Sequence, residues 1–205
     1  MINRFLNAKH WQLFILMFGV PILLQIITMI SVFANIDSNG TPGQAGMLNM
    51  ILIFPIIMFL YAGLFFGWFW SIGIGLQKYI PTDIHMKIKK FKILFFIPLA
   101  YILFLLMVIV AVFYGVSSGN NDVSGILGKL LFVIFPLHLF SMFSIFYLLY
   151  FTAKTIKTIE LKRTVTFSDF IGEFFTIWFF PIGIWFIQPR INEIVSKKNT
   201  NNNIT

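Results

Sequence analysis

The stretch LFILMFGVPILLQIITMISVF, Leu13 to Phe33, contains no Asp, Glu, Lys or Arg. A helix needs roughly 20 apolar residues to cross the hydrocarbon core of a bilayer. Three further uncharged stretches are long enough to do so: Met47 to Leu76, Ile93 to Val116 and Leu130 to Ala153. The pattern predicts an all-α membrane protein with four transmembrane helices and short loops. Composition agrees with this. Of 205 residues, 59% are hydrophobic and 11% are charged, against about 25% charged in an ordinary soluble domain. Mean hydropathy is +0.89. Residues 1–205 therefore read as a single integral membrane domain, working in the bilayer or at its surface.

The net charge of +8 would suit nucleic acid, but the positions of the charges argue for no nucleic acid partner. The basic residues form blocks: Arg4 and Lys9; Lys78, Lys87, Lys89, Lys90 and Lys92; Lys154, Lys157, Lys162 and Arg163; Arg190, Lys197 and Lys198. Lys129 stands apart. The loops Ala34 to Gly46 and Ser117 to Gly128 have no Lys or Arg. Basic loops stay on the cytoplasmic side. The N-terminus, the 77–92 loop and the 154–173 loop are then cytoplasmic. There is no cysteine, so disulfides and Cys-based sites are excluded. Val32-Phe33-Ala34 looks like a signal-peptide cleavage site, but the apolar run before it exceeds the usual 7–15 residues or so. It reads as a retained span. Phe, 27 of 205 residues, reads as codon bias and carries no functional weight.

The chain also reads as a tandem repeat. FILMFGVP, Phe14 to Pro21, aligns with FKILFFIP, Phe91 to Pro98; Ile53-Phe54-Pro55 aligns with Ile134-Phe135-Pro136. Phe59 and Phe65 match Phe140 and Phe146 at the same distances after the proline. The unit is two helices and a polar external hairpin. Repeat 1 covers about 11–90, repeat 2 about 91–172, and a partial third copy spans 173–192, with Pro181 again seven residues after Phe174. Parallel copies occur in some transporters; duplication that only builds a stable bundle is the plainer reading. Each proline removes a backbone hydrogen bond inside its helix, which predicts kinks near Met17, Ile51, Leu94 and Phe132. Thr82-Asp83 and Ser168-Asp169 read as helix N-caps. The segment TDIHMKIKKF from Thr82 reads as an interfacial helix, whose lysines would attract anionic lipid headgroups or serve as an orienting charge cluster.

Between Glu173 and Arg190 lie 16 uncharged residues, FFTIWFFPIGIWFIQP. As a helix they reach about 24 Å, against a core of about 30 Å. A crossing would put Arg190, Lys197 and Lys198 outside. The charge rule therefore favours a C-terminal interfacial or half-inserted segment, with a cytoplasmic C-terminus, over a short fifth span. The tail 196–205, SKKNTNNNIT, reads as disordered. The strings Phe-Pro-Ile-Gly-Ile-Trp and Gln-Pro-Arg-Ile-Asn within Ile177 to Asn192 resemble the C-terminal end of a group of uncharacterised small bacterial integral membrane proteins. That resemblance implies a bacterial inner membrane and no particular activity.

Candidate site residues are few. Gln188, Arg190 and Asn192 form the densest polar cluster beside an apolar segment: either a headgroup or partner site, or a helix stop with snorkelling side chains. His138 is the ionisable candidate within a span, for a proton or ligand or for a carbonyl freed by the kink. Gln25, with Thr28 and Ser31, is the other buried-looking polar group. The three histidines lack metal-ligand spacing, and the acids lie in loops, joints or the tail. No catalytic constellation, metal site or cofactor is implied. Gly63, Gly67, Ser71 and Gly75 recur every four residues. They make a groove for a close-packed helix, of the same chain, of a homo-oligomer or of a membrane protein partner. The counterpart stripe, Ser144, Leu148, Thr152 and Ile156, is bulkier. The sequence favours a non-enzymatic scaffold or accessory subunit acting through helix–helix contacts. The alternative is a small transporter or lipid-handling protein with a site between the repeats.

Overall fold

The computed structural model describes residues 1–36, 43–117 and 123–202. It is 88% helical, with no strand among the described residues. Four runs are long and apolar enough to cross a membrane: His10–Ala34, Leu52–Tyr79, Ile88–Gly115 and Gly128–Leu161. The helices are α1 (Ile2–Asn7), α2 (His10–Phe14), α3 (Val20–Ala34), α4 (Gln44–Gly75), α5 (Ile88–Ser117), α6 (Val123–Leu161), α7 (Phe167–Trp178) and α8 (Phe180–Asn202). The two polar hairpins expected between the spans lie partly outside the described residues. α6 already begins at Val123, inside the segment expected to be loop.

Packing is concentrated at the basic end, where the charged blocks lie. Trp68, Phe69 and Ile72 of α4, Phe91 of α5 and Phe151 and Ile156 of α6 are all fully buried there. At the opposite end the apolar side chains face outward: Met107 is 68% exposed and Phe132 85%. Lipid is as apolar as Leu, so burial there gains little, and close packing and polar contacts decide where helices meet. Gly73 permits one such approach. A Cβ at that position would sit 2.3 Å from Cζ of Phe91, whose ring stacks on Phe151 at 4.6 Å.

The expected irregularity near Met17 is present. Ile15–Gly19 is a π turn between α2 and α3, with Pro21 just beyond it. A π turn widens the ladder where proline withholds its N–H. α4, α5 and α6 instead remain α-helical through Pro55, Pro98 and Pro136.

The C-terminal segment breaks at Phe179 (φ −77°, ψ 61°), and α8 then turns back beside α7. The reversal leaves Arg190 bonded to Glu173 at 2.8 Å. The segment thus forms a helical hairpin rather than one continuous fifth span. α7 returns along α6, bringing Trp178 within 5.0 Å of Phe146. The ring of Phe180, at the tip, sits 4.6 to 6.5 Å from those of Phe18, Tyr61, Phe65, Trp68 and Phe69. Aromatic pairs add about 0.5–1.5 kcal/mol each beyond burial. Phenylalanine given no weight in the sequence therefore anchors the hairpin.

Four local expectations are corrected. Residues 82–87 are not an interfacial helix: Ile84 N–H bonds the Pro81 carbonyl in a turn, and α5 starts only at Ile88. The packing of Ile80, Met86 and Ile88 against the core holds that segment down. The expected 154–173 loop shrinks to residues 162–166. α6 continues to Leu161 because Ala153, Ile156 and Ile159 keep an apolar face buried. The cap of α7 is Thr166, not Ser168: Thr166 and Asp169 form a capping box. α8 runs to Asn202 across most of the expected disordered tail, where Glu193 and Lys197 pair at 2.6 Å one turn apart.

Gly183 marks the tightest point of the hairpin. A Cβ there would lie 2.5 Å from the Thr176 carbonyl oxygen, and backbone cannot swing aside. Gly183→Ala should destabilise the protein by about 1–3 kcal/mol through overpacking. Gly172→Ala, with nothing within 4 Å, should instead gain up to about 1 kcal/mol of helix propensity. Thermal unfolding of both variants in the same detergent checks the contrast; equal effects would count against the close crossing.

Candidate functional site

On α8, Ile184, Ile187, Gln188, Ile191 and Val195 share the buried face, at the spacing of one helix stripe. Gln188 is 0% exposed. Its Oε1 accepts from Trp68 Nε1 at 2.8 Å, and its Nε2 donates to the carbonyls of Phe5 and Ala8, both at 2.9 Å. One turn on, Asn192 Nδ2 donates to the carbonyls of Leu6 (2.8 Å) and Ala8 (3.2 Å). These carbonyls belong to the end of α1, where a helix leaves its last C=O groups unpaired. Two amides of α8 therefore cap α1 from the side and tie it to α4.

Arg190 faces a different set of partners. Its Nε and one Nη bond Glu160 as a fork at 2.7 and 2.5 Å, and the same Nη reaches Glu173 at 2.8 Å. Lys157 Nζ joins Glu173 at 3.0 Å and Glu160 at 3.9 Å. Two cations and two carboxylates thus neutralise one another across α6, α7 and α8. Burial pushes the Glu173 carboxyl up, but hydrogen bonds from Arg190 and Lys157 outweigh it and hold the group below its usual 4.5. Burial also opposes the Arg190 charge, and the bonds to Glu160 and Glu173 raise its pKa regardless. At the start of α7, hydrogen bonds from Arg163 and from the backbone and hydroxyl of Thr166 lower Asp169 to about 2.

Gln188, Arg190 and Asn192 therefore form a latch whose polar atoms are committed within the chain. They do not stop the helix: α8 passes through Pro189. The glycine groove is also filled from within. A Cβ on Gly67 would meet the Phe5 ring at 2.9 Å, and one on Gly75 would meet Ile2 at 2.5 Å. Ser71 is buried and donates to the Gly67 carbonyl, while Gly63 has nothing within 4 Å. The bulkier stripe Ser144, Leu148, Thr152 and Ile156 is buried. Gln25 is exposed on α3, and Thr28 bonds the Leu24 carbonyl of its own helix. His138 is exposed, and its Nδ1 pairs with the Tyr101 hydroxyl at 3.1 Å rather than with a freed carbonyl.

Two clefts open at the basic end. One, of about 870 Å³, is lined by Lys78, Glu160, Lys162, Arg190, Glu193 and Lys197 among others, with acids and bases mixed. The other, of about 390 Å³, is lined by His85, Lys87, Lys90 and Lys154, with Tyr147, Tyr150, Met86 and Phe151, and holds no acid. Neither includes Gln25 or His138. Among the described residues, no group of three His, Cys, Asp or Glu could hold a metal. Sequence reasoning missed Trp68, Glu160 and Glu173 as partners of the latch, and Tyr147, Tyr150 and Lys154 as cleft residues. The only available signal was that polar residues recur on otherwise apolar helix faces. No family model, curated protein or solved structure matches the chain.

Replacing Gln188 by Leu removes the acceptor of the Trp68 indole N–H and two hydrogen bonds to α1. Each buried group left unpaired costs about 1–3 kcal/mol. Hydrogen exchange should accelerate over residues 2–9 while the amides of α5 and α6 stay protected; unchanged exchange in α1 would sink the latch assignment. The charge quartet should also be sensitive to acid. The folded pKa of Glu173 lies below its unfolded value, so its contribution is full above about 4.5 and is lost as pH falls through the folded value. Glu173→Gln should melt lower than wild type at pH 7 and lose less stability on acidification. Parallel melting curves across pH would remove the assignment.

Proposed function

We propose that the protein is a non-enzymatic scaffold or accessory subunit of a bacterial inner membrane, acting through helix–helix contacts. The observation that carries this reading is the outer half of α6. Between Leu131 and Phe140, every residue except Ile134 is exposed. Successive helical residues point about 100° apart, so this length of helix offers apolar surface on nearly all sides. Leu131, Phe132 and Phe135 are 62%, 85% and 66% exposed. A helix of a partner or of a second copy would cover such a surface. The basic end faces the cytoplasm in this reading, with both termini there, because lysine and arginine cluster at that end. The two hairpins are the two copies of the tandem repeat.

The geometry supports the transporter alternative less well. A site between the repeats needs a cavity reached by Gln25 or His138. The space between the hairpins at the basic end is filled by Trp68, Phe69, Phe91 and Phe151, Gln25 is exposed on α3, and His138 is paired with Tyr101. The glycine groove, which the sequence offered to a helix of the same chain or of a partner, accepts α1 at Gly67 and Gly75, so the proposed contact moves to the outer half of α6.

The chain has no native cysteine, so single introduced cysteines report cleanly. Phe132→Cys in native membranes should form a cross-linked species with a second copy or with one membrane protein, and native mass spectrometry from nanodiscs should show the same stoichiometry. Trp11→Cys, at the basic end, should not. A strictly monomeric protein with no cross-link at Phe132 or Phe135 would remove the basis of the proposal.

A further inference from the structure

The two clefts at the basic end differ in charge, and the difference is informative. The larger cleft balances its cations against Glu160 and Glu193. The smaller one gathers His85, Lys87, Lys90 and Lys154 without a carboxylate. Among the described residues, Lys87, Lys90 and Lys154 enter none of the ion pairs. Two of them lie over rings instead: Lys90 Nζ is 4.8 Å from the Tyr147 centroid, and Lys154 Nζ is 5.9 Å from that of Tyr150. Three ammonium groups held around one cleft repel one another, and each ring contact offsets that repulsion only slightly. The start of α5, at Ile88, adds the positive end of a 30-residue helix beside Lys87.

We propose that this cleft binds an anionic phosphate group, with the headgroup of an anionic phospholipid as its source. Lys87, Lys90 and Lys154 supply charge, and the tyrosine hydroxyls of Tyr147 and Tyr150 and the His85 ring supply further hydrogen-bonding groups. The surroundings favour a lipid over a soluble anion. One turn beyond Lys90 the α5 surface presents Ile93, 67% exposed, and one turn beyond Tyr147 the α6 surface presents Phe143, 59% exposed. A phosphate seated in the cleft therefore has apolar helix surface directly beneath it, where acyl chains would lie. The proposal does not depend on the scaffold reading, since it uses neither the outer half of α6 nor a partner helix.

The test uses the full chain in detergent micelles, titrated with phosphatidylglycerol or phosphatidylcholine and read by native mass spectrometry. Phosphatidylglycerol should be retained over phosphatidylcholine. Lysines near a membrane surface contribute about 1 kcal/mol each toward anionic lipid, so Lys90→Gln with Lys154→Gln should weaken retention about 30-fold. Lys90→Arg with Lys154→Arg should restore most of it, and Lys9→Gln, in the N-terminal segment, should change nothing. Equal thermal melting of the variants establishes that they fold. A parallel arm adds inorganic phosphate. If phosphate alone binds, with the same dependence on Lys90 and Lys154, the site stands and its ligand is a soluble anion. If a folded double Gln variant retains phosphatidylglycerol like wild type and binds phosphate no more weakly, or if neither probe binds the wild type selectively, the proposal is overturned.

Discussion

The fold depends on one buried amide. Gln188 takes a hydrogen bond from the Trp68 indole of α4 and gives two to the carbonyls of α1. A helix of six residues is far too short to persist alone. α1 exists because Gln188 and Asn192 satisfy the carbonyls at its end, and because the glycines of α4 let its side chains lie close. Where water is scarce, an unpaired carbonyl has no cheap alternative partner. The same contacts fix α8 against α4, and so set the depth of the α7–α8 hairpin and the position of Phe180 among the rings at its tip.

That constraint explains why the protein is well packed at one end and open at the other. Within hydrocarbon, apolar surface has no reason to hide, and spans separate unless shape or polar contacts hold them. The basic end supplies both. It has an indole, two amides and a charge quartet to satisfy, and its small residues Gly67, Gly73 and Gly75 allow the elements carrying them to approach. The opposite end of α5 and α6 has mostly Leu, Ile, Val and Phe, and the structure leaves them outward.

Much of this was legible in the chain. Uncharged length located all four spans, because the bilayer core imposes a length that few other environments demand. The shortness of the C-terminal segment and the charges beyond it argued against a continuous fifth span, and the chain does turn back at Phe179. Pro21 marked the π turn. What was not legible came from contacts between residues far apart in sequence. Arg190 beside Gln188 and Asn192 looked like one open polar cluster. Successive positions on a helix point in different directions, so Gln188 and Asn192 turn to α1 while Arg190 turns to Glu160 and Glu173. Only the folded arrangement separates the two. The 82–91 segment misled for a related reason: its amphipathic spacing fits a surface helix, yet the turn at Pro81 and the burial of Met86 and Ile88 hold it otherwise.

Net charge conceals the most useful distinction at the basic end. Lys157 and Arg190 look no different from Lys90 and Lys154 in the sequence, since all four sit in blocks of basic residues beside uncharged stretches. In the fold the first two meet carboxylates and form a neutral group, which fastens three helices and presents little field beyond itself. Among the described residues Lys90 and Lys154 enter no ion pair and lie over tyrosine rings, with the exposed Ile93 and Phe143 a turn away. Cations fastened to carboxylates serve the fold, because moving either partner exposes an unpaired charge. Cations held over aromatic rings in an acid-free cleft retain most of their field and are available to an external anion. By this criterion Arg190, the charged residue the sequence singled out, belongs to the architecture, and the proposed ligand chemistry lies with Lys90, which the sequence already offered as a headgroup contact, and with Lys154, which had read only as a mark of orientation.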